Sequence, residues 1–282
     1  MKLVSSIEEW RQIYTSLKAT AKPAIIGLVP TMGYLHDGHL SLVRAARQEC
    51  DVVVMSIFVN PLQFGENEDF DRYPRDLKRD RDLAEQHQVD YLFVPEAKEM
   101  YPEPPRTSIS VTLGGVMCGR YRPGHFDGVA LVVTKLFNII QPDFAYFGQK
   151  DAQQLAVIEQ MVNDLNIPVT IRPCPTVREP DGLAMSSRNV YLSPEERKQA
   201  VQLYKSLQAA RSLIEAGERD PEVIKNHITA LLAAQPDIRL EYVEVRSYPE
   251  LTEINAVKGK VIVALAAHLG QTRLIDNVIL EV

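Results

Sequence analysis

The sequence predicts an α/β chain: a parallel sheet with helices on both faces, followed by a smaller C-terminal α+β unit. Three observations carry this. Apolar, β-branched runs alternate with helix-patterned segments as far as Cys174, the signature of a parallel sheet with right-handed crossovers. Past Cys174, two helix patterns are followed by three strand patterns with no helix between them. A glycine-containing turn, Met32 to His39, joins an early apolar run to a helix pattern, a place where backbone N–H groups and the helix dipole favour an anion. The first unit is therefore read as Rossmann-like over residues 1–176, the second as a smaller lid over 177–282.

Taken in order, Ser5 or Ser6 ahead of Ile7 is a helix start, and that helix should run to about Leu17. Residues 24–29 read as a buried strand and 40–47 as the helix after the turn. Residues 51–60 (DVVVMSIFVN) read as a second buried strand that ends in Pro61-Leu62-Gln63-Phe64-Gly65. An acidic loop over 66–71, a charged helix over 73–88 and a third strand over 89–95 follow. The proline-rich stretch 101–105 is a loop and 108–113 a short strand. Residues 119–128 form a glycine-rich basic loop before a helix over 129–140. A strand over 143–147 ends in Gly148-Gln149-Lys150-Asp151, and a helix over 152–165 and a strand over 169–174 close the first unit. A polar loop spans 182–189. Ser193-Pro194-Glu195-Glu196 then combines a serine cap, a proline at the first helical position and a glutamate at the third, so a helix should reach about Ala216. Asp220-Pro221-Glu222 starts another, to about Ala234, and strands follow over 238–245, 261–266 and 272–280.

Composition excludes several classes. In 282 residues, 31 Lys and Arg face 37 Asp and Glu, a formal charge of −6, against the basic surplus of a general nucleic-acid binder. Cys50, Cys118 and Cys174 are odd in number and far apart, which suits a reducing cytoplasm better than a disulfide framework. The charged N-terminal stretch is no signal peptide. No apolar run is long enough to span a membrane.

Four loops fall at expected strand ends, where an open parallel sheet forms its ligand crevice. His36 and His39, three apart with Gly38 between them, should project from the first helical turn toward one spot. An ordinary capped turn explains the same letters. A zinc site is the weaker reading, because the familiar helical pair is spaced i, i+4 and needs a further ligand that no Cys or His cluster supplies. Lys150 is a compact cation suited to a phosphate oxygen. Asp151 can accept ribose hydroxyls or cap the following helix. Ser186, Ser187 and Arg188 make a donor-rich loop, able to wrap a triphosphate or serve as a linker. Gln63 and Gln154 are neutral amides that can orient a hydroxy acid without neutralising its carboxylate. The acidic loop 66–71 is a weak Mg²⁺ candidate beside its solvated-loop reading.

The strand-turn-helix with His36-Asp37-Gly38-His39 and the loop Met185-Ser186-Ser187-Arg188 are similar to the two phosphate-binding loops of the nucleotidyltransferase and class I aminoacyl-tRNA synthetase superfamily. More closely, Pro30-Thr31-Met32-Gly33, Phe58 to Gly65, Tyr73-Pro74-Arg75, Arg122-Pro123-Gly124-His125-Phe126 and Met185 to Asn189 together resemble the pantothenate synthetase family. The ordered blocks run from about residue 20 to 195. One departure is Gln149, where the family usually has glutamate.

The resemblance implies an ATP-dependent ligase that converts (R)-pantoate and β-alanine to pantothenate through a pantoyl adenylate, releasing AMP and pyrophosphate, with Mg²⁺ on the phosphates, as a homodimer in the cytoplasm. It implies ATP contacts from Met32, Gly33, Tyr34, Leu35, His36, Asp37, Gly38 and His39, from Gly148, Gln149, Lys150 and Asp151, and from Val177, Met185, Ser186, Ser187 and Arg188. Gln63 and Gln154 would hold pantoate, and Gln63 would also touch β-alanine. His39 would be the general acid, with His36 and Lys150 on the phosphates. Metal ligands are not specified. A nucleotidyltransferase of the same superfamily and a non-catalytic nucleotide-binding protein remain as alternatives.

Overall fold

The computed structural model describes residues 1–66 and 68–282; Asn67, inside the acidic stretch 66–71, lies outside the described residues. The elements run β1 (Lys2–Val4), α1 (Ile7–Lys18), β2 (Ile26–Thr31), α2 (Asp37–Glu49), β3 (Val52–Ile57), α3 (Leu77–Gln86), β4 (Tyr91–Phe93), α4 (Ala97–Met100), α5 (Met117–Tyr121), α6 (His125–Ile140), β5 (Phe144–Gly148), α7 (Ala152–Asp164) and β6 (Thr170–Cys174). After them come α8 (Pro194–Glu215), α9 (Pro221–Ala233), β7 (Ile238–Ser247), β8 (Lys260–Leu269) and β9 (Thr272–Glu281).

The first six strands form one sheet in the order β1-β4-β3-β2-β5-β6, with every pair parallel. Alternation along the strands divides the side chains between two cores. Ile26, Leu28, Val52 and Val54 pack with residues of α1, α6 and α7, among them Trp10, Val133 and Ile158. Val29, Val53 and Met55 pack on the other face with Leu42 and Val43 of α2 and Ala84 of α3. Both faces are thus covered, as an apolar strand such as Val52–Ile57 requires. The expected α/β architecture is present.

The last three strands make a separate antiparallel sheet, β7-β8-β9. Along β8, Val261, Val263 and Leu265 pack against α8 and α9 residues such as Leu207 and Ile228. Ile262, Ala264 and Ala266 face the other way, packing with Met117, Cys118, Ala156 and Val157 of the first unit. The second sheet is therefore seated on α5 and α7 through its own apolar face.

Local signals account for the helix ends. Ser6 Oγ accepts from the Glu9 N–H at 3.2 Å. Ser193 Oγ accepts from the Glu196 N–H at 3.2 Å while Glu196 accepts from the Ser193 N–H at 2.8 Å, the reciprocal capping box expected from the sequence. Two expectations are corrected. Residues 108–113 form no strand; Thr112–Gly115 is a 3-10 turn, and the Val111 N–H is taken by Asp127 at 2.9 Å rather than by a strand neighbour. The basic loop over 119–128 shrinks to a few residues around Pro123, because α5 and α6 enclose it.

Candidate active site

Chain order reverses in the sheet beside β2: β3 and β4 lie on one side of it, β5 and β6 on the other. A crevice opens at the carboxyl ends of strands at such a reversal. The segments leaving β2, β3, β5 and β6 carry His36 and His39, Gln63, Lys150, and Val177. They line a cavity of about 230 Å³ together with Met32, Gly38, Gly148, Asp151, Gln154, Met185, Ser186, Ser187 and Arg188. A larger cavity of about 540 Å³ adjoins it, shares Arg122, Lys150, Asp151, Gln154 and Arg188, and continues to β8 and β9. Gly33, Tyr34, Leu35, Asp37 and Gln149 lie outside the lining of the first cavity. Leu35 is fully buried in the core of the α2 face.

The turn after β2 is organised by its own side chains rather than by open backbone donors. His36 is the N-cap of α2: its Nδ1 accepts from the Gly38 N–H at 3.1 Å, and His39 Nδ1 accepts from the His36 N–H at 3.4 Å. Thr31 Oγ1 takes the Gly33 N–H at 3.1 Å. Asp80 takes the Tyr34 and Leu35 N–H groups, both at 2.7 Å. The expectation of a phosphate cradle made of free loop amides is corrected at these positions. Gly38 also has another reason than ligand access: a Cβ there would sit 2.8 Å from the His36 ring, so the missing side chain makes room for the cap.

These bonds set the histidine chemistry. An Nδ1 that accepts leaves a neutral ring with its proton on Nε2. Burial, with the Lys150 charge next for His36 and the His36 and Lys150 charges next for His39, disfavours the imidazolium. His36 is pushed down to about 4 and His39 well below its usual range. Two neutral Nε2–H donors and one ammonium group thus face one cavity.

Lys150 sits in the 3-10 turn Gln149–Asp151 after β5, with Asp151 Oδ2 3.9 Å from its Nζ. Asp151 makes no side-chain cap to α7, so its carboxylate is left for the cavity. The backbone of this turn is held from the second sheet: Asn277 Nδ2 donates to Gln149 O at 3.0 Å and to Lys150 O at 2.9 Å.

Gln63 is 8% exposed. Its Oε1 accepts from Asn60 Nδ2 at 3.2 Å and its Nε2 donates to Met32 Sδ at 3.2 Å. Its carbonyl accepts from His125 Nδ1 at 2.8 Å, while His125 Nε2 accepts from Arg122 at 3.0 Å. Burial, then the Arg122 charge, pushes His125 down to about 4.

The second loop is anchored as well. Ser187 Oγ donates to Tyr34 O at 3.1 Å, joining it to the histidine turn. Ser186 Oγ accepts from the Arg188 N–H at 3.2 Å. The Arg188 guanidinium makes a two-pronged pair with Asp69 at 2.7 and 2.9 Å, and Arg122 makes one with Glu68. Burial alone would lift both carboxyls; the arginines outweigh it and hold them below their usual range. Two of the acidic loop's carboxylates, Glu68 and Asp69, are thus spent on arginines. Among the described residues no three His, Cys, Asp or Glu gather as a metal site.

Asn60, Asp80, His125 and Asn277 escaped sequence reasoning. Asn60 and His125 stood inside motifs already noticed; Asp80 and Asn277 carry no local signal, since their partners are 45 or more residues away.

Comparison with known proteins converges. The model of the family described as Pantoate-beta-alanine ligase matches residues 2–279. A pantothenate synthetase of Caldicellulosiruptor saccharolyticus is 56% identical over 283 residues, covering 100% of both chains, and one of Carboxydothermus hydrogenoformans is 57% identical over 284 residues, again covering both fully. The crystal structure of the Thermus thermophilus pantothenate synthetase superposes with a TM-score of 0.92 at 46% identity, over 99% of each chain. The ligase of Francisella tularensis, solved with beta-gamma ATP and beta-alanine, gives 0.80 at 35% identity, over 99% of this chain and 97% of its own. With the sheet, the histidine turn and the second loop in place, the chain belongs to the pantoate–β-alanine ligase family.

Proposed function

We propose that the chain joins (R)-pantoate to β-alanine in two steps driven by ATP. A pantoate carboxylate oxygen attacks the α-phosphorus in line, the bond to the bridging oxygen breaks, and pyrophosphate leaves. The β-alanine nitrogen, as the free amine, then attacks the acyl carbon of the adenylate, the bond to the AMP oxygen breaks, AMP leaves with that electron pair, and the nitrogen's extra proton passes to water as pantothenate departs. A free carboxylate is a poor acyl donor and AMP a good leaving group, so the chemistry asks for positioning and charge stabilisation more than for covalent help.

The observation that carries this reading is the meeting of Lys150 with the neutral rings of His36 and His39 around a cavity whose wall also holds Gln63. Lys150 and the two Nε2–H groups suit phosphate oxygens. Gln63 and Gln154 suit the hydroxy acid, with Gln63 also near the amine. His39 is neutral before substrate arrives and serves as a donor; a bound phosphate raises its pKa, and only then can it act as the acid the family resemblance implies. Arg188, Ser186 and Ser187 complete the ATP site, with Met32 and Val177 against the nucleotide; Arg188 must first exchange Asp69 for phosphate.

Mg²⁺ would be held chiefly by the phosphates, with Asp151 as a carboxylate in the cavity wall, which suits an ion that keeps most of its waters. The homodimer and the cytoplasm rest on the family resemblance and, for the latter, on three buried free cysteines. Residues 1–176 are proposed as the nucleotide and pantoate unit, 177–282 as the lid. A crystal soaked with ATP and pantoate tests the reading: density for an acyl adenylate supports it, and unreacted ATP with pantoate bound elsewhere counts against it.

A further inference from the structure

We propose that Asp80 is a positioning residue for this reaction, the buried anion that clamps the Tyr34 and Leu35 backbone and so fixes His36 and His39 toward the cavity. It rests on the functional reading above only for its kinetic consequence.

Asp80 lies on α3, far from the histidines in sequence, and is 1% exposed. Its two oxygens accept one bond each, Oδ2 from the Tyr34 N–H and Oδ1 from the Leu35 N–H, both at 2.7 Å. Consecutive N–H groups that point the same way need two acceptors. A carboxylate supplies both; an amide supplies one and turns its NH₂ toward the other donor. The backbone it holds is unusual. Gly33 has φ +86° and Tyr34 φ +51°, and left-handed backbone is costly for a residue with a side chain. A Cβ on Gly33 would stand 3.0 Å from Asp80 Oδ2 and 2.9 Å from Ile57 Cγ2, so glycine is needed for the carboxylate to reach its place. The Arg79 guanidinium lies 5.0 Å from the Tyr34 ring centroid. The Tyr34 carbonyl accepts from Ser187. One peptide is thus gripped from α3 on its N–H side and from the second phosphate loop on its C=O side, and His36 begins the cap two residues later.

The arrangement is not a stabilising ion pair. The nearest cation, Arg79, is 3.7 Å away and half-exposed, and burial, though opposed by the two N–H bonds, lifts the Asp80 carboxyl above its usual range. Left-handed backbone at Gly33 and Tyr34, held by a buried carboxyl beside a reacting centre, is the pattern of strain held for function.

Asp80→Asn in the full chain tests this. ¹⁵N NMR of the histidine rings reads the tautomers, which a merely structural role would leave unchanged in a folded variant. The wild type should show one Nε2–H tautomer for His36 and for His39. The variant should show protonated Nδ1 in at least one of them, and pantoate-dependent pyrophosphate release should fall about 10²-fold in kcat, the scale of an ångström of misplacement, with KM for β-alanine nearly unchanged. Unchanged tautomers overturn the proposal whatever the rate does. Altered tautomers with unchanged turnover overturn it too, and also fault the histidines as phosphate donors. If the variant does not fold, wild-type hydrogen exchange decides: slow exchange at the Tyr34 and Leu35 amides supports the clamp, and exchange at open-loop rates overturns it.

Discussion

The His39 ring holds the backbone of His36, and the His36 ring that of Gly38: the rings lie 4.0 Å apart, His39 Nδ1 accepts from the His36 N–H, and His36 Nδ1 accepts from the Gly38 N–H between them. Both rings are therefore tied through Nδ1 and neutral. The pH dependence follows with a definite sign. His36 and His125 fall from the ordinary 6.5 to about 4, so between those values the unfolded chain takes up protons that the folded chain refuses. Their contribution to stability is complete above about 6.5 and is lost as pH falls toward about 4. Denaturant midpoints at pH 7 and pH 5 should differ in that direction. In the free enzyme, the acid limb of kcat/KM for ATP should lie near 4 rather than near 6.5; a limb at 6.5 would remove the neutral pair.

Gln63→Ala should weaken pantoate while leaving ATP affinity nearly unchanged. The side chain is oriented by Asn60 and Met32, and losing a hydrogen bond to a charged group costs about 1.5–3 kcal/mol. Calorimetry with each substrate separates the two effects. Lost ATP affinity with intact pantoate binding would reassign the residue.

Asn277→Ala should destabilise the fold by roughly 1–3 kcal/mol, since it strands two carbonyls in a largely buried setting. The side chain is 7% exposed and joins β9 to the Lys150 turn. Urea unfolding gives the stability. Turnover should fall with it, because the turn that presents Lys150 loses its second-sheet support; unchanged stability and unchanged turnover together would make the contact incidental.

The alternation of the first unit was legible because its strands are buried on both faces and read as apolar runs. The helix starts at Ser6 and Ser193 were legible because caps are local. β1 was not: three residues with only Val4 buried carry no period. The extended run 108–113 has strand-like letters, yet its partner is Asp127 on α6. The histidines, Lys150 and Gln63 were legible as strand-end residues that meet. What escaped was the hold on them. Asp80 reaches back 45 residues and Asn277 reaches back 127, and nothing local in either segment announces a partner that far away.

Lys150→Ala should slow adenylate formation by about 10²–10³, the range for one preorganised electrostatic contact. Aminolysis of preformed pantoyl adenylate should fall much less, because pyrophosphate has gone by then. Single-turnover assays started from ATP and pantoate, and separately from synthetic adenylate and β-alanine, read the two steps. Equal losses would move Lys150 to the α-phosphate.

The adenylate itself is tested most directly by isotope exchange. With ATP, Mg²⁺, pantoate and labelled pyrophosphate but no β-alanine, a reversible first step must carry label into ATP. The account predicts exchange that requires pantoate and is lost in step with adenylate formation in Lys150→Ala. An enzyme that makes pantothenate when β-alanine is added, yet shows no pantoate-dependent exchange without it, would contradict the two-step route.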